Sequence, residues 1–331
     1  MSEKKENTKL SKWLENELPN SFIDRDDLVE IIKVVAESTI PIRGLLEKGI
    51  TSREIEHRME IEKVGNQSTN LYGESQIHED ILTHSIILKA LQESDVDFLF
   101  VASEEAEPVL GNGKFGITID PVDGSSNVKV NRTVGTIVGI YNKEGIIICS
   151  FYVLYGIYTN LVLALNGKVA EFILDTSSYS MTFYHYIYQE LKKLPNNAEG
   201  GIRCLGGNSN NWPDKYKIYE QELINRDFKD RYSGSFVGDF HAILTYGGIY
   251  SYFPSPKAKI RVYYEWLPLA FIIKTLKGEF LIIGTPEDTG DIKTMEEVQP
   301  LTIDNVNEIH TKTSGGLLGS EKPVNLFLST I

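Results

Sequence analysis

The chain has 331 residues, 41% of them hydrophobic and 24% charged, with a formal net charge of −13. This is the balance of a soluble globular protein, large enough to bury a core without staples. Its negative field argues against nucleic acid and anionic membrane as partners. Only Cys149 and Cys204 are present, which excludes a disulfide framework and a cysteine-rich metal site and fits a reducing, cytoplasmic setting.

The opening stretch MSEKKENTKLSKWLENELPNS has no apolar core and carries several acids. Residues 1–20 therefore read as a flexible solvated arm, neither a signal peptide nor a transit peptide. No later apolar run approaches the roughly 20 residues of a membrane span. Helical spacing of Leu28, Ile31, Ile32 and Val35 predicts a helix before Pro41, with a second helical stretch after it. Ile77 to Leu91 reads as another helix. Asp97–Ser103 and Phe115–Asp120 are short apolar runs with turn-like ends, so buried strands. Val134–Tyr141, Gly145–Leu154 and Tyr158–Leu165 predict an antiparallel meander. The first half, 21–180, ends near Ile173–Ser180. The second half, 181–331, reads as helix (Asp239–Thr245), strand (Gly248–Phe253), strand (Lys259–Tyr264) and helix. In WLPLAFIIKTLKGE, Pro268 and Gly278 are matched start and stop signals. The fold class is α/β or α+β, two layered halves in one compact unit.

The chemistry concentrates where strands end. Asp120 and Asp123 close the run GITIDPVD, and Glu104 with Glu105 closes FLFVAS. A lone DxxD is more often a turn or a helix N-cap. Two acidic pairs at the C-terminal ends of apolar strands lie where α/β proteins bind ligands. Clustered carboxylates repel one another unless a cation neutralises them. Oxygen-only donors point to Mg2+ or Mn2+. The following GSSN offers unhindered amides and hydroxyls for a phosphate. In KAKIRVYYE, period two puts Lys259, Arg261, Tyr263 and Glu265 on one strand face. In isolation a solvated edge strand is the favoured reading, yet the charges suit a polar cleft equally well, with Lys259 on a phosphate and Glu265 on a metal. Glu74 and Asp80 are ordinary acids near a helix start, and His241 reads as a structural histidine.

DPVDGSSN resembles the DPLDGSSN signature of fructose-1,6-bisphosphatases. GES…ED, VASEEAEP, VGTIVGIY, FYVLYGIYTNLVLAL, RYSGSFVGDFHAILTYGGIY and KAKIRVYYEWLPLA follow in the family's order and spacing. The resemblance implies a layered αβαβα fold and hydrolysis of a sugar bisphosphate at its 1-phosphate, with two to three Mg2+ or Mn2+ per site. Residues 21–180 would bind metal and the reacting phosphate, and 181–331 the sugar phosphate. By resemblance, Glu74, Glu104, Glu105, Asp120, Asp123, Glu265 and the Val122 carbonyl are metal ligands or their neighbours. Asp80, Glu105 and Glu74 place or activate the attacking water, and Arg261 pairs with the loop acid. Asp123, Gly124, Ser125 and Ser126 hold the transferred phosphoryl group. Tyr232, Tyr252 and Lys259 bind the sugar and its distal phosphate. Arg231 reaches a neighbouring subunit's site in a homo-oligomer, a dimer or tetramer. Two departures concern the distal phosphate. Lys129 stands where relatives place an Asp, and Gly206 where they place an Asn, with Asn208 nearby. The N-terminal third matches poorly, so AMP inhibition is not expected. Sedoheptulose-1,7-bisphosphatase is the alternative activity. A catalytically weakened sugar-phosphate binder is a further one.

Overall fold

The computed structural model describes residues 8–52, 78–176, 185–189, 191, 193–254, 260–284 and 291–331. The strands of the first half are β1 (Phe100–Ser103), β2 (Ala106–Leu110), β3 (Gly116–Asp123), β4 (Val134–Tyr141), β5 (Ile147–Tyr155), β6 (Thr159–Leu165), β7 (Lys168–Asp175) and β8 (His185–Gln189). They form one sheet in the order β2-β1-β3-β4-β5-β6-β7-β8. The meander β3 to β8 is antiparallel, and β1 runs parallel to β3. The apolar runs are continuous because the sheet is covered on both faces. Phe151, Val153, Leu161 and Leu163 enter one core, and Tyr152, Leu154, Val162 and Ala164 the other.

The helices are α1 (Leu10–Glu17), α2 (Arg25–Ser38), α3 (Ile42–Ser52), α4 (His78–Glu93), α5 (Asp214–Asn225), α6 (Phe236–Tyr246), α7 (Leu267–Thr275) and α8 (Glu321–Thr330). A second sheet runs β10-β9-β11-β14-β12-β13, from β9 (Ile202–Gly206), β10 (Lys229–Asp230), β11 (Gly248–Tyr252), β12 (Glu279–Ile283), β13 (Ile292–Lys293) and β14 (Gly315–Gly319). The first core joins α1, α2 and α4 to the outer face of the large sheet. The second packs α6 and α7 between the two sheets. The third joins α5 and α8 to the far face of the small sheet. The architecture is αβαβα, in line with the sequence.

Two expectations need correction. Within residues 1–20, read as a solvated arm, Leu10–Glu17 is helix α1, with Leu10, Trp13 and Leu14 buried. The Trp13 ring meets Phe172 edge-on, centroids 5.6 Å apart. Three apolar side chains on one helix face outweigh the acids on the other, since burying each is worth about 1.5–3 kcal/mol. The strand expected over Lys259–Tyr264 is absent where the chain is described. Arg261 forms an isolated bridge to Thr313, and Val262–Trp266 is one π-helical turn running into α7.

Candidate active site

The site lies where β1 and β3 end together. They are parallel and in register to Ser103 and Ile119, so Glu104–Glu105 and Asp120 emerge side by side. The Glu104 N–H donates to the Ile119 carbonyl at 3.0 Å. In a regular strand, residues three apart face opposite ways. Here the pairing of β3 with β4 shifts between Asp120 and Asp123, which lie opposite Ile137 and Gly135. That extra residue is a bulge, and it turns both carboxylates to the same side. Thr136 Oγ1 donates to the Pro121 carbonyl within it, at 2.8 Å. Val122 is buried in the same bulge.

Glu265 comes from the other half, on the π turn before α7. One of its carboxylate oxygens accepts the Arg261 backbone N–H at 2.6 Å. The Arg261 guanidinium faces Glu104 Oε1 at 3.4 Å and donates to the His310 carbonyl. Asp120, Asp123 and Glu265 are all buried, with ligand oxygens within 4.8 Å of one another. Burial raises the Asp120 carboxyl well above the carboxylate range, and the charges of Glu104, Asp123, Glu265 and Glu105 push it further. Burial likewise raises Glu265, with Glu104 and Asp123 adding to it, and Arg261 offsets only part. The structure thus brings together five acids expected from the sequence.

Asp123 is held by an element the sequence reading did not connect to it. Its oxygens accept from Ser235 Oγ at 2.7 Å, the Phe236 N–H at 3.2 Å and the Val237 N–H at 2.8 Å. Those donors are the N-cap and first turn of α6, a favourable end for an anion. They pull the Asp123 carboxyl down, against the larger raising effect of burial. Gly124 follows with φ 76°, and a Cβ there would stand 2.7 Å from Ser235 Cβ. Ser125–Val130 then forms a short 3-10 turn, with Ser125 half-buried and Ser126 exposed. Lys129 is exposed in its last turn.

Asp80 is buried in the first turn of α4. Glu105 is half-buried, its N–H on Ser103 Oγ at 3.3 Å. Tyr232 and Tyr252 flank Gly206, where a Cβ would stand 2.6 Å from Tyr252 and 2.9 Å from Tyr232. Burial, Tyr252 and Asp239 push the Tyr232 hydroxyl up to about 12. Asn208 serves locally, its side chain accepting the Asn210 N–H at 3.0 Å. Arg231 is exposed beside Asp230. Glu74 and Lys259 lie outside the described residues. Ser235, which holds Asp123, is a contact that the sequence reading does not include. A serine before an apolar helix does signal an N-cap, but not that the cap serves Asp123.

A family model described as fructose-1-6-bisphosphatase, N-terminal domain, matches residues 48–185, and the C-terminal domain model matches 197–327. The chain belongs to the fructose-1,6-bisphosphatase family. A class 1 fructose-1,6-bisphosphatase of Methanocorpusculum labreanum is 35% identical over 262 residues, 75% of this chain and 74% of that protein. One from Geobacter sulfurreducens is 30% identical over 319 residues, 92% of this chain and 95% of that protein. The Leishmania major fructose-1,6-bisphosphatase structure in holo form superposes with a TM-score of 0.78 at 23% identity, covering 98% of this chain and 99% of that one. This fold is therefore the fold of the family. Among the described residues no helix is long and apolar enough to cross a membrane.

Proposed function

We propose that the protein hydrolyses the 1-phosphate of fructose-1,6-bisphosphate, giving fructose 6-phosphate and inorganic phosphate, in carbohydrate metabolism of the gluconeogenic type. The observation that carries this reading is the buried triad of Asp120, Asp123 and Glu265 with ligand oxygens within 4.8 Å, flanked by Glu104 and Glu105. Three desolvated carboxylates this close repel one another, and hard oxygen donors match Mg2+ or Mn2+. The triad's donor set suits such an ion, and by the family resemblance two to three of them would be held by Glu74, Glu104, Glu105, Asp120, the Val122 carbonyl, Asp123 and Glu265. When bound, the ions offset the carboxylate and phosphate charge and supply Lewis acidity at the reacting centre.

The chain's own residues do the rest. Asp80 and Glu105 take the proton of the attacking water, a task the resemblance also extends to Glu74. Gly124, Ser125 and Ser126 offer donors to the transferred phosphoryl oxygens. Arg261, fixed on Glu104 and the Arg261–Glu265 turn, keeps the ligand set aligned. Tyr232, Tyr252 and Lys259 hold the sugar and its distal phosphate, and that binding orients the reacting end. Arg231 completes the distal site of a neighbouring subunit in a dimer or tetramer. A cytoplasmic setting suits the two cysteines, both free and buried.

The test is phosphate release with Mg2+ present from fructose-1,6-bisphosphate and sedoheptulose-1,7-bisphosphate, run side by side. Faster turnover of the fructose compound is the expected result. Preference for the seven-carbon compound would reassign the substrate, and binding without release from either would make the protein a sugar-phosphate binder.

A further inference from the structure

Asp239 is a buried carboxylate, 2% exposed, with no part in the reaction set out above. It stands in the first turn of α6, and both its oxygens accept the Ser233 N–H, at 3.0 and 3.1 Å. From the other side Asn127 Nδ2 donates to the Ser233 carbonyl at 3.2 Å and to the Thr133 carbonyl at 3.2 Å. Ser233 is therefore gripped at both backbone groups by side chains from two separate elements. Burying a carboxylate is unfavourable unless its hydrogen bonds are well made, and here the bonds fall on a loop.

Three parts of the site meet at that loop. Upstream are Arg231 and Tyr232. Downstream is Ser235, which starts the set of donors on Asp123. Asn127 belongs to the turn that carries Ser125 and Ser126. Gly234, between the two serines, has φ 89°, a conformation glycine adopts readily and other residues rarely do.

We propose that Asp239 and Asn127 act together as positioning residues, a clasp on Ser233 that sets Tyr232 and Arg231 against the phosphoryl cradle and so governs binding of the distal, non-reacting end of the substrate. This rests on the sugar-bisphosphatase reading. It assigns the clasp to substrate recognition and leaves the bond-breaking step to the acids around Asp120.

The experiment starts with wild-type turnover of fructose-1,6-bisphosphate, which tests the functional reading by itself. The clasp is then tested with the two products as separate probes, fructose 6-phosphate for the distal end and inorganic phosphate for the cradle, by isothermal titration with Mg2+ present. Asp239→Ala is expected to weaken fructose 6-phosphate about tenfold and raise KM by a similar factor, with kcat and phosphate affinity within about threefold of wild type. Asp239→Asn keeps one acceptor for the Ser233 N–H and should recover most of that loss. In Asn127→Ala combined with Asp239→Ala, fructose 6-phosphate should weaken by less than the product of the single effects, because either change opens the clasp. Should the alanine variant fail to fold, Asp239→Ser, too short to span to the Ser233 amide, carries the same comparison. Equal loss for both products, no rescue by asparagine, or strictly multiplicative effects would overturn the proposal. Inactive wild-type protein would instead overturn the reading beneath it.

Discussion

Asp120 shows what one buried carboxylate does here and what replacing it should cost. Its charged form is disfavoured by burial and by four neighbouring acids. Asp120→Asn removes that repulsion while keeping shape. Phosphate release should fall at least about a thousandfold, the scale on which losing a centre of charge stabilisation acts. The metal-free variant should melt higher than metal-free wild type, because the folded state no longer confines that charge. Paired turnover and melting measurements check both, and a variant that loses activity while melting lower would mean Asp120 is chiefly structural. Asp239 gives a pH signature. Burial raises its carboxyl from the ordinary 3.8 to about 7. A raised acid stabilises the fold fully below the unfolded value and loses that contribution as pH rises through the folded one. With saturating Mg2+ holding the metal-site acids, melting temperature should fall between about pH 5 and about pH 7, and Asp239→Asn should flatten that slope. Equal slopes in the two proteins would remove Asp239 as the cause. The acids themselves were legible, since DPVDGSSN and SEE stand out in the sequence. Their convergence was not, because Glu265 is 145 residues from Asp120 and only the tertiary fold joins them.

Elements decide how those side chains are aimed. The α6 N-terminus holds Asp123 through Ser235 Oγ and two amides, and Ser235 also caps its own helix, accepting the Gly238 N–H at 3.2 Å. Ser235→Ala loses a cap, about 1 kcal/mol, and a charge-assisted bond, about 1.5–3 kcal/mol. Melting should drop by a few degrees and kcat by about tenfold. Unchanged kcat with a lowered melting point would confine Ser235 to capping. The meander was readable because strands buried on both faces leave long apolar runs, and Val134–Tyr141 came out with the expected bounds. Arg261–Glu265 was misread because five alternating residues fit a strand as well as a turn. Helical bonds settle it. The N–H groups of Glu265 and Trp266 both donate to the Arg261 carbonyl, at 3.2 and 3.1 Å. Tyr263, assigned to a polar face, is buried with its hydroxyl on the Gln299 carbonyl. The strands β13 and β14 were not foreseen, since β13 has two residues and β14 is GGLLG, too short or glycine-rich for a clear pattern.

At the scale of the molecule, a chain of net charge −13 gathers carboxylates at the seam between its halves, β3 giving two and the turn before α7 a third. Cations bound there would tie residues of the two halves together and should stabilise the whole fold. A ligand at about a hundred times its dissociation constant adds roughly 2.7 kcal/mol, and for a chain of this size each kcal/mol moves the midpoint by about 2–4 °C at most. Saturating Mg2+ should therefore raise the melting temperature by several degrees, and chelation should reverse it. General screening of a negative surface would do something similar, so the comparison has to separate the two. Glu265→Gln takes one donor from the seam and changes the net charge by a single unit. If the ions act at the seam, the Mg2+-dependent rise should shrink to a small fraction in this variant, while added NaCl at matched ionic strength shifts both proteins alike. If Glu265→Gln keeps the full rise, the stabilising cations bind elsewhere, and the triad is not the site that holds the two halves together.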